Sequence, residues 1–102
     1  MNQPISETQK NTDLEQLRPP KKYAVCLLND DFTPMQFVVQ ILQEVFFLSQ
    51  DTAETLMWKV HREGKAICGV YSLDIAMTKR TQVEILAHQA EHPLRCIVEE
   101  SA

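Results

Sequence analysis

The chain changes its hydrophobic period between residues 28 and 35, and this change constrains the fold more than any other feature of the sequence. Residues 23–28 (YAVCLL) form a short apolar run, which is typical of a strand. After a polar loop, apolar residues recur at steps of three and four, which predicts a helix with one buried face. That stripe consists of Met35, Val38, Val39, Leu42, Val45 and Phe46. The sequence therefore predicts a strand and then an amphipathic helix through about Phe47.

Capping residues predict where the first two helices begin and end. Residues 33–36 (TPMQ) match a capping box, with a hydroxyl at the cap, proline at the first helical position and glutamine at the third. Asp51, with Glu54 three residues later, can cap a second helix. Gly64 follows the last apolar residue of that helix, where a left-handed stop is favoured.

The rest of the chain predicts a strand, a helix and a strand. Residues 66–71 are apolar enough for a second strand, and Ser72 can cap a third helix. His92 precedes Pro93, which disfavours helical backbone there, so we expect the helix to end by that point. Leu94, Cys96 and Val98 alternate as a last strand. The predicted fold class is α+β, in the order βααβαβ, with a three-stranded antiparallel sheet covered on one face by three helices.

Length and composition indicate one compact domain. The chain has 102 residues and is 44% hydrophobic, which is enough for one core. Residues 1–18 are mostly polar and precede two prolines, so we expect a disordered N-terminal extension, followed by a core domain over residues 19–102.

Charge and cysteine usage restrict the partners and the compartment. A formal charge of −4 argues against nucleic-acid binding, which needs a basic face. No apolar run approaches the roughly 20 residues that span a bilayer, so we expect a cytoplasmic protein without a membrane partner. Cys26, Cys68 and Cys96 are odd in number and far apart, which favours buried free thiols in a reducing compartment. No cofactor or metal is expected.

The loop that joins the first strand to the first helix carries the chemistry. Asn29, Asp30, Asp31 and Thr33 place an amide, two carboxylates and a hydroxyl beside apolar segments, as in the polar rim of a hydrophobic pocket. Loop capping is an alternative, because short polar side chains bond their own backbone. Paired acid–base catalysis is disfavoured, since adjacent residues of an extended segment point in opposite directions. A metal site of Asp30, Asp31 and His61 is conceivable, although no spacing selects a metal.

Three motifs resemble the ClpS family of ATP-dependent Clp protease adaptors: residues 29–35 (NDDFTPM), 60–72 (VHREGKAICGVYS) and 91–96 (EHPLRC). The resemblance covers roughly residues 19–99. It implies a βααβαβ fold similar to the C-terminal domain of the ribosomal stalk protein. It also implies an adaptor and not an enzyme, which binds N-degron peptides and proteins beginning with Leu, Phe, Tyr or Trp. Such an adaptor delivers them to a ClpA-type unfoldase for degradation by ClpP.

The resemblance also implies roles for individual residues. The residues expected to bind the substrate's α-amino group are Asn29, Asp30 and His61. The residues expected to form the hydrophobic pocket are Asp31, Thr33, Met35, Val38, Met57, Val60 and Leu94. The residues expected to contact the unfoldase are Tyr71, Asp74 and Lys79.

Departures from the family pattern lie mostly outside the pocket. Phe32 stands where tyrosine is common, Trp58 and Lys59 vary on the second helix, and Met77 replaces an expected acidic residue near the unfoldase surface. The alternative function is a stalk-like protein–protein interaction domain that does not recognise N-terminal residues.

Overall fold

The structure, a computed structural model, describes residues 19–101. The predicted N-terminal extension, residues 1–18, lies outside the described residues. The elements follow the order β1 (Lys22–Leu28), α1 (Met35–Glu44), α2 (Gln50–Glu63), β2 (Lys65–Tyr71), α3 (Leu73–Gln89) and β3 (Arg95–Ser101). The predicted order βααβαβ and the α+β class are confirmed.

The three strands form one antiparallel sheet in the order β2-β1-β3, so the first strand of the chain is the central one. Cys26 of β1 lies opposite Ile67 of β2 and Ile97 of β3. The register between β1 and β2 shifts between Val25 and Cys26, as at a β-bulge. The loop after β1 therefore leaves from the middle of the sheet, between the start of β2 and the start of β3.

The core lies between the helices and one face of the sheet. Side chains of β1 and β2 that face the helices, such as Val25, Leu27 and Ala66, are buried with residues of all three helices. Ile67 and Val70 are about half exposed on the other face of β2. The prediction that helices cover one face of the sheet agrees with this arrangement.

The three cysteines are buried and free, as the sequence predicts. Burial raises the pKa of the Cys68 and Cys96 thiols to about 12. Both thiols therefore stay protonated at neutral pH and pack as small hydrophobic side chains.

The predicted capping box at the start of α1 is wrong. Pro34 occupies the cap position without a side-chain hydrogen bond, and its carbonyl accepts from the Phe37 amide at 3.0 Å. The Thr33 hydroxyl lies one residue too early to cap the helix, and it donates to Asp30 instead. The helix also ends at Glu44, before the predicted Phe47, because Phe47 has a left-handed backbone with a φ of 56°.

The predicted cap of α2 is displaced by two residues. Ser49 has extended backbone, as an N-cap requires, and its hydroxyl accepts from the Thr52 amide at 3.3 Å. Asp51 is already helical, so its carboxylate lies in the first turn and not at the cap. The predicted stop at Gly64 is confirmed by a left-handed φ of 87°. Ser72 occupies the predicted cap position of α3, but its side chain makes no capping hydrogen bond.

Candidate functional site

A cavity of about 210 Å³ opens where the loop after β1 meets the start of α1 and the end of α2. The predicted site residues converge on it, although they come from separate segments of the sequence. Its lining residues are Asn29, Asp30, Asp31, Thr33, Met35, Val38, Met57, Val60 and His61. The structure thus brings together the predicted α-amino group ligands and all but one of the predicted pocket residues.

The apolar side chains that line the cavity are buried at its inner wall and exposed at its rim. Val60, Met57 and Val38 belong to the hydrophobic core, so the inner wall is held by packing on both helices. Met35 begins α1, and its side chain is 38% exposed at the rim. A flexible thioether at that position can adapt to side chains of different shape.

One backbone hydrogen bond joins the two polar segments of the site. The Asn29 amide donates to the Gly64 carbonyl at 2.9 Å, directly after the last turn of α2. His61 lies in that turn. The side-chain carboxamide of Asn29 and the His61 ring take part in none of the side-chain hydrogen bonds found among residues 19–101. Both side chains therefore remain available to a ligand.

The Asp30 carboxylate organises the loop. It accepts hydrogen bonds from the Phe32 amide at 2.8 Å, the Thr33 amide at 2.7 Å and the Thr33 hydroxyl at 2.7 Å. Burial alone would raise the pKa of Asp30, but these hydrogen bonds and the nearby His92 together lower it. The carboxylate is therefore ionised at neutral pH. Loop capping, which the sequence left as an alternative, does occur, and it leaves about one acceptor site for a ligand.

The polar half of the cavity is rich in acceptors and acidic. Asp30 and Asp31 contribute two carboxylates, and no lysine or arginine is among the described lining residues. The Asn29 amide oxygen and a neutral His61 ring add two further acceptors. Such a rim favours a cationic group with several donors, placed at the mouth of an apolar cavity.

Leu94, the remaining predicted pocket residue, is not among the described residues that line the cavity. It is buried, 5% exposed, in the same core cluster as Val38, Met57 and Val60. A role for Leu94 in the pocket stays a prediction.

The residues predicted to contact an unfoldase lie away from the cavity lining. Tyr71 ends β2, and Asp74 is exposed in the first turn of α3. The Lys79 ammonium donates to the Val45 carbonyl at 2.7 Å and lies 4.5 Å from the centre of the Phe47 ring. Lys79 is thus held by the end of α1, which the sequence alone did not indicate.

His92 is a neighbour of the site that sequence reasoning missed. It is only partly exposed, and its ring packs edge-on against Phe37 at 4.7 Å between centroids. A signal was present in the sequence, because His92 belongs to the motif at residues 91–96 that resembles the family. Its charge helps to lower the pKa of Asp30.

Among residues 19–101, no group of three or more His, Cys, Asp or Glu side chains is arranged to hold a metal ion, and Asp30, Asp31 and His61 do not form such a group. None of the described helices combines the length and the apolar composition of a membrane span.

Comparison with known proteins assigns the family. The model of the family "ATP-dependent Clp protease adaptor protein ClpS" matches residues 18–97. The ClpS adapter proteins of Paraburkholderia phymatum and Burkholderia thailandensis are each 54% identical over 101 residues, covering 95% of this chain and 97% of each relative. The structure of Agrobacterium tumefaciens ClpS2 bound to L-phenylalaninamide is similar with a TM-score of 0.79. It is 42% identical, and the match covers 81% of this chain and 100% of that one. This chain therefore belongs to the ClpS family of ATP-dependent Clp protease adaptor proteins.

Proposed function

We propose that this protein binds polypeptides whose first residue is a bulky hydrophobic one and delivers them to a ClpA-type unfoldase for degradation by ClpP. The proposed ligands begin with Leu, Phe, Tyr or Trp. The observation that carries the proposal is the acceptor-rich rim of Asn29, Asp30 and His61 at the mouth of the apolar cavity. No chemical step is assigned to the protein itself.

A free α-amino group suits this rim. It is a cation with three donors, and its ordinary pKa is near 8, so it is charged at pH 7. Asn29, Asp30 and a neutral His61 each offer an acceptor. A hydrogen bond to a charged group contributes about 1.5–3 kcal/mol, so the loss of one should weaken binding roughly tenfold or more.

The cavity supplies selectivity for the first side chain. Burial of a Leu or Phe side chain contributes about 1.5–3 kcal/mol. Met35 and Met57 can adapt the wall to flat rings and to branched chains. The relative that was solved with L-phenylalaninamide supports this assignment, because that ligand carries a free α-amino group and a benzyl side chain.

Delivery requires a second surface. We assign it to Tyr71, Asp74 and Lys79, which lie at the end of β2 and the beginning of α3. Lys79 also donates to the Val45 carbonyl, so a change at Lys79 would alter the fold as well as the proposed contact. A change at Asp74 therefore tests partner binding with less effect on folding. Asp74→Lys should abolish stimulated degradation of a Phe-initiated reporter while its affinity for a Phe-initiated peptide stays unchanged.

Binding of two peptides tests recognition directly. A Phe-initiated peptide and its N-acetylated twin differ in the ammonium alone, so equal affinities would overturn the proposal. Asn29→Ala should lower the affinity for the peptide with a free α-amino group roughly tenfold. Gln43→Ala, a change at a matched exposed position on α1, should leave that affinity unchanged. Equal binding by wild type and Asn29→Ala would favour the stalk-like interaction domain instead.

Three buried free thiols support a reducing compartment, and we infer that the protein acts in the cytoplasm.

A further inference from the structure

An exposed tryptophan stands beside the polar rim of the cavity. The Trp58 side chain is 42% exposed, and its ring meets the His61 ring edge-to-face at 5.9 Å between centroids. Trp58 follows Met57 on α2, so its side chain projects about 100° further around the helix than the cavity wall. The Trp58 side chain therefore lies on the surface of α2 directly outside the cavity.

A basic side chain supports the tryptophan from its own helix. The guanidinium carbon of Arg62 lies 5.1 Å from the centre of the Trp58 ring, within the range of a cation–π contact. The two residues line a shallow groove of about 440 Å³ together with Thr55, Lys59 and Glu63. The ring is thus held between His61 and Arg62 while much of its surface remains open.

The proposed function places the start of a bound peptide next to this ring. With the α-amino group at His61 and the first side chain in the cavity, the chain advances by at most about 3.6 Å per residue. In an extended peptide the second side chain points away from the first, so it leaves the cavity over the rim. Trp58 is the exposed aromatic side chain that contacts His61 there.

We propose that the exposed Trp58 indole is a subsite for the second residue of the bound polypeptide, and that it favours large apolar or aromatic side chains. This inference rests on the proposed function and deepens it, because it adds a preference at position two. Tryptophan is well suited to the task, since its large rigid surface gains contact at little cost in side-chain entropy. A small or strongly hydrated second side chain would leave the indole uncovered.

Two peptides that differ only at the second residue test the subsite. Both begin with Phe, and the second residue is Leu in one and Ala in the other. Wild type should bind the Leu peptide about fivefold more tightly, as partial burial of a leucine side chain would produce. In Trp58→Ala the ratio of the two affinities should fall to about one. Ile85→Ala is the matched control, because Ile85 is also a half-exposed apolar residue but lies on α3, and the ratio should stay at the wild-type value.

The ratio separates contact from indirect effects. If Trp58 merely orients His61, the loss of its ring weakens both peptides equally and leaves their ratio unchanged, which would overturn the subsite. A wild-type ratio of one would overturn it too, and a preference that survives in Trp58→Ala would place the second residue on the loop side of the rim. The N-acetylated Leu peptide keeps the two proposals apart. If acetylation abolishes binding and the ratio is one, only the subsite fails; if acetylation has no effect, the proposed function fails.

Discussion

The Asn29 amide donates to the Gly64 carbonyl across 2.9 Å, and this hydrogen bond ties the acceptor loop to the end of α2. Residue 29 thereby comes beside His61, although 32 positions of sequence separate the two. Since both side chains line the cavity, the polar rim depends on how α2 ends as much as on the loop itself.

Gly64→Ala should lower the free energy of unfolding by about 1 kcal/mol, because a φ of 87° strains residues that carry a Cβ. A Cβ at this position meets no atom within 4 Å, so the cost is backbone strain alone. Urea denaturation measures it. Gly64→Asn should lose less stability, since asparagine tolerates the left-handed region better. Equal losses for alanine and asparagine would contradict this account.

Acid should destabilise the loop through Asp30. The folded pKa of this carboxyl lies below its ordinary value of 3.8, so its contribution to stability is present above about pH 4. That contribution is lost as the pH falls through the lowered folded pKa. Denaturation series from pH 7 to about pH 3 should therefore show a smaller acid-induced loss for Asp30→Asn than for wild type. Thr33→Val removes one donor to the carboxylate and should also reduce the loss.

Peptide affinity should depend on an acceptor nitrogen at His61. His61→Phe keeps a ring beside Trp58 but has no acceptor, so its affinity for a Phe-initiated peptide should fall roughly tenfold or more. His61→Asn keeps an acceptor and should lose less affinity. Equal affinities of wild type and His61→Phe, measured by calorimetry, would remove His61 from the proposed role.

Phe47→Asn should stabilise the fold. Phe47 has a φ of 56° and is 80% exposed, so strain of roughly 1 kcal/mol or more is not offset by burial. The contact with Lys79 offsets about 0.5 kcal/mol of it, as is typical of exposed cation–π pairs. The net gain should be about 0.5–1 kcal/mol in urea denaturation. Phe32→Asn is the matched control, because Phe32 is also 80% exposed but its φ is not positive, and it should show no such gain.

The capping residues show where local sequence patterns stop being sufficient. Thr33 had the right residue type for a helix cap, yet Pro34 occupies the cap position, and the Thr33 hydroxyl donates to the Asp30 carboxylate instead. Asp51 was also a good candidate, but Ser49 has the extended backbone that the position requires. Several short polar residues near a helix start can compete for the same backbone amides, so their order in the sequence does not identify the one that caps.

The sequence by itself determined the order of the elements, the stop at Gly64, the burial of the three cysteines and the family resemblance. These features follow from hydrophobic period, from backbone preferences of single residues and from motifs, all of which are local. Only the tertiary structure decided that β1 is central, that Asn29 reaches Gly64 and that His92 approaches Asp30. Each of these depends on contacts between distant segments, whose geometry is set by packing of the sheet against the helices and not by any neighbouring residue.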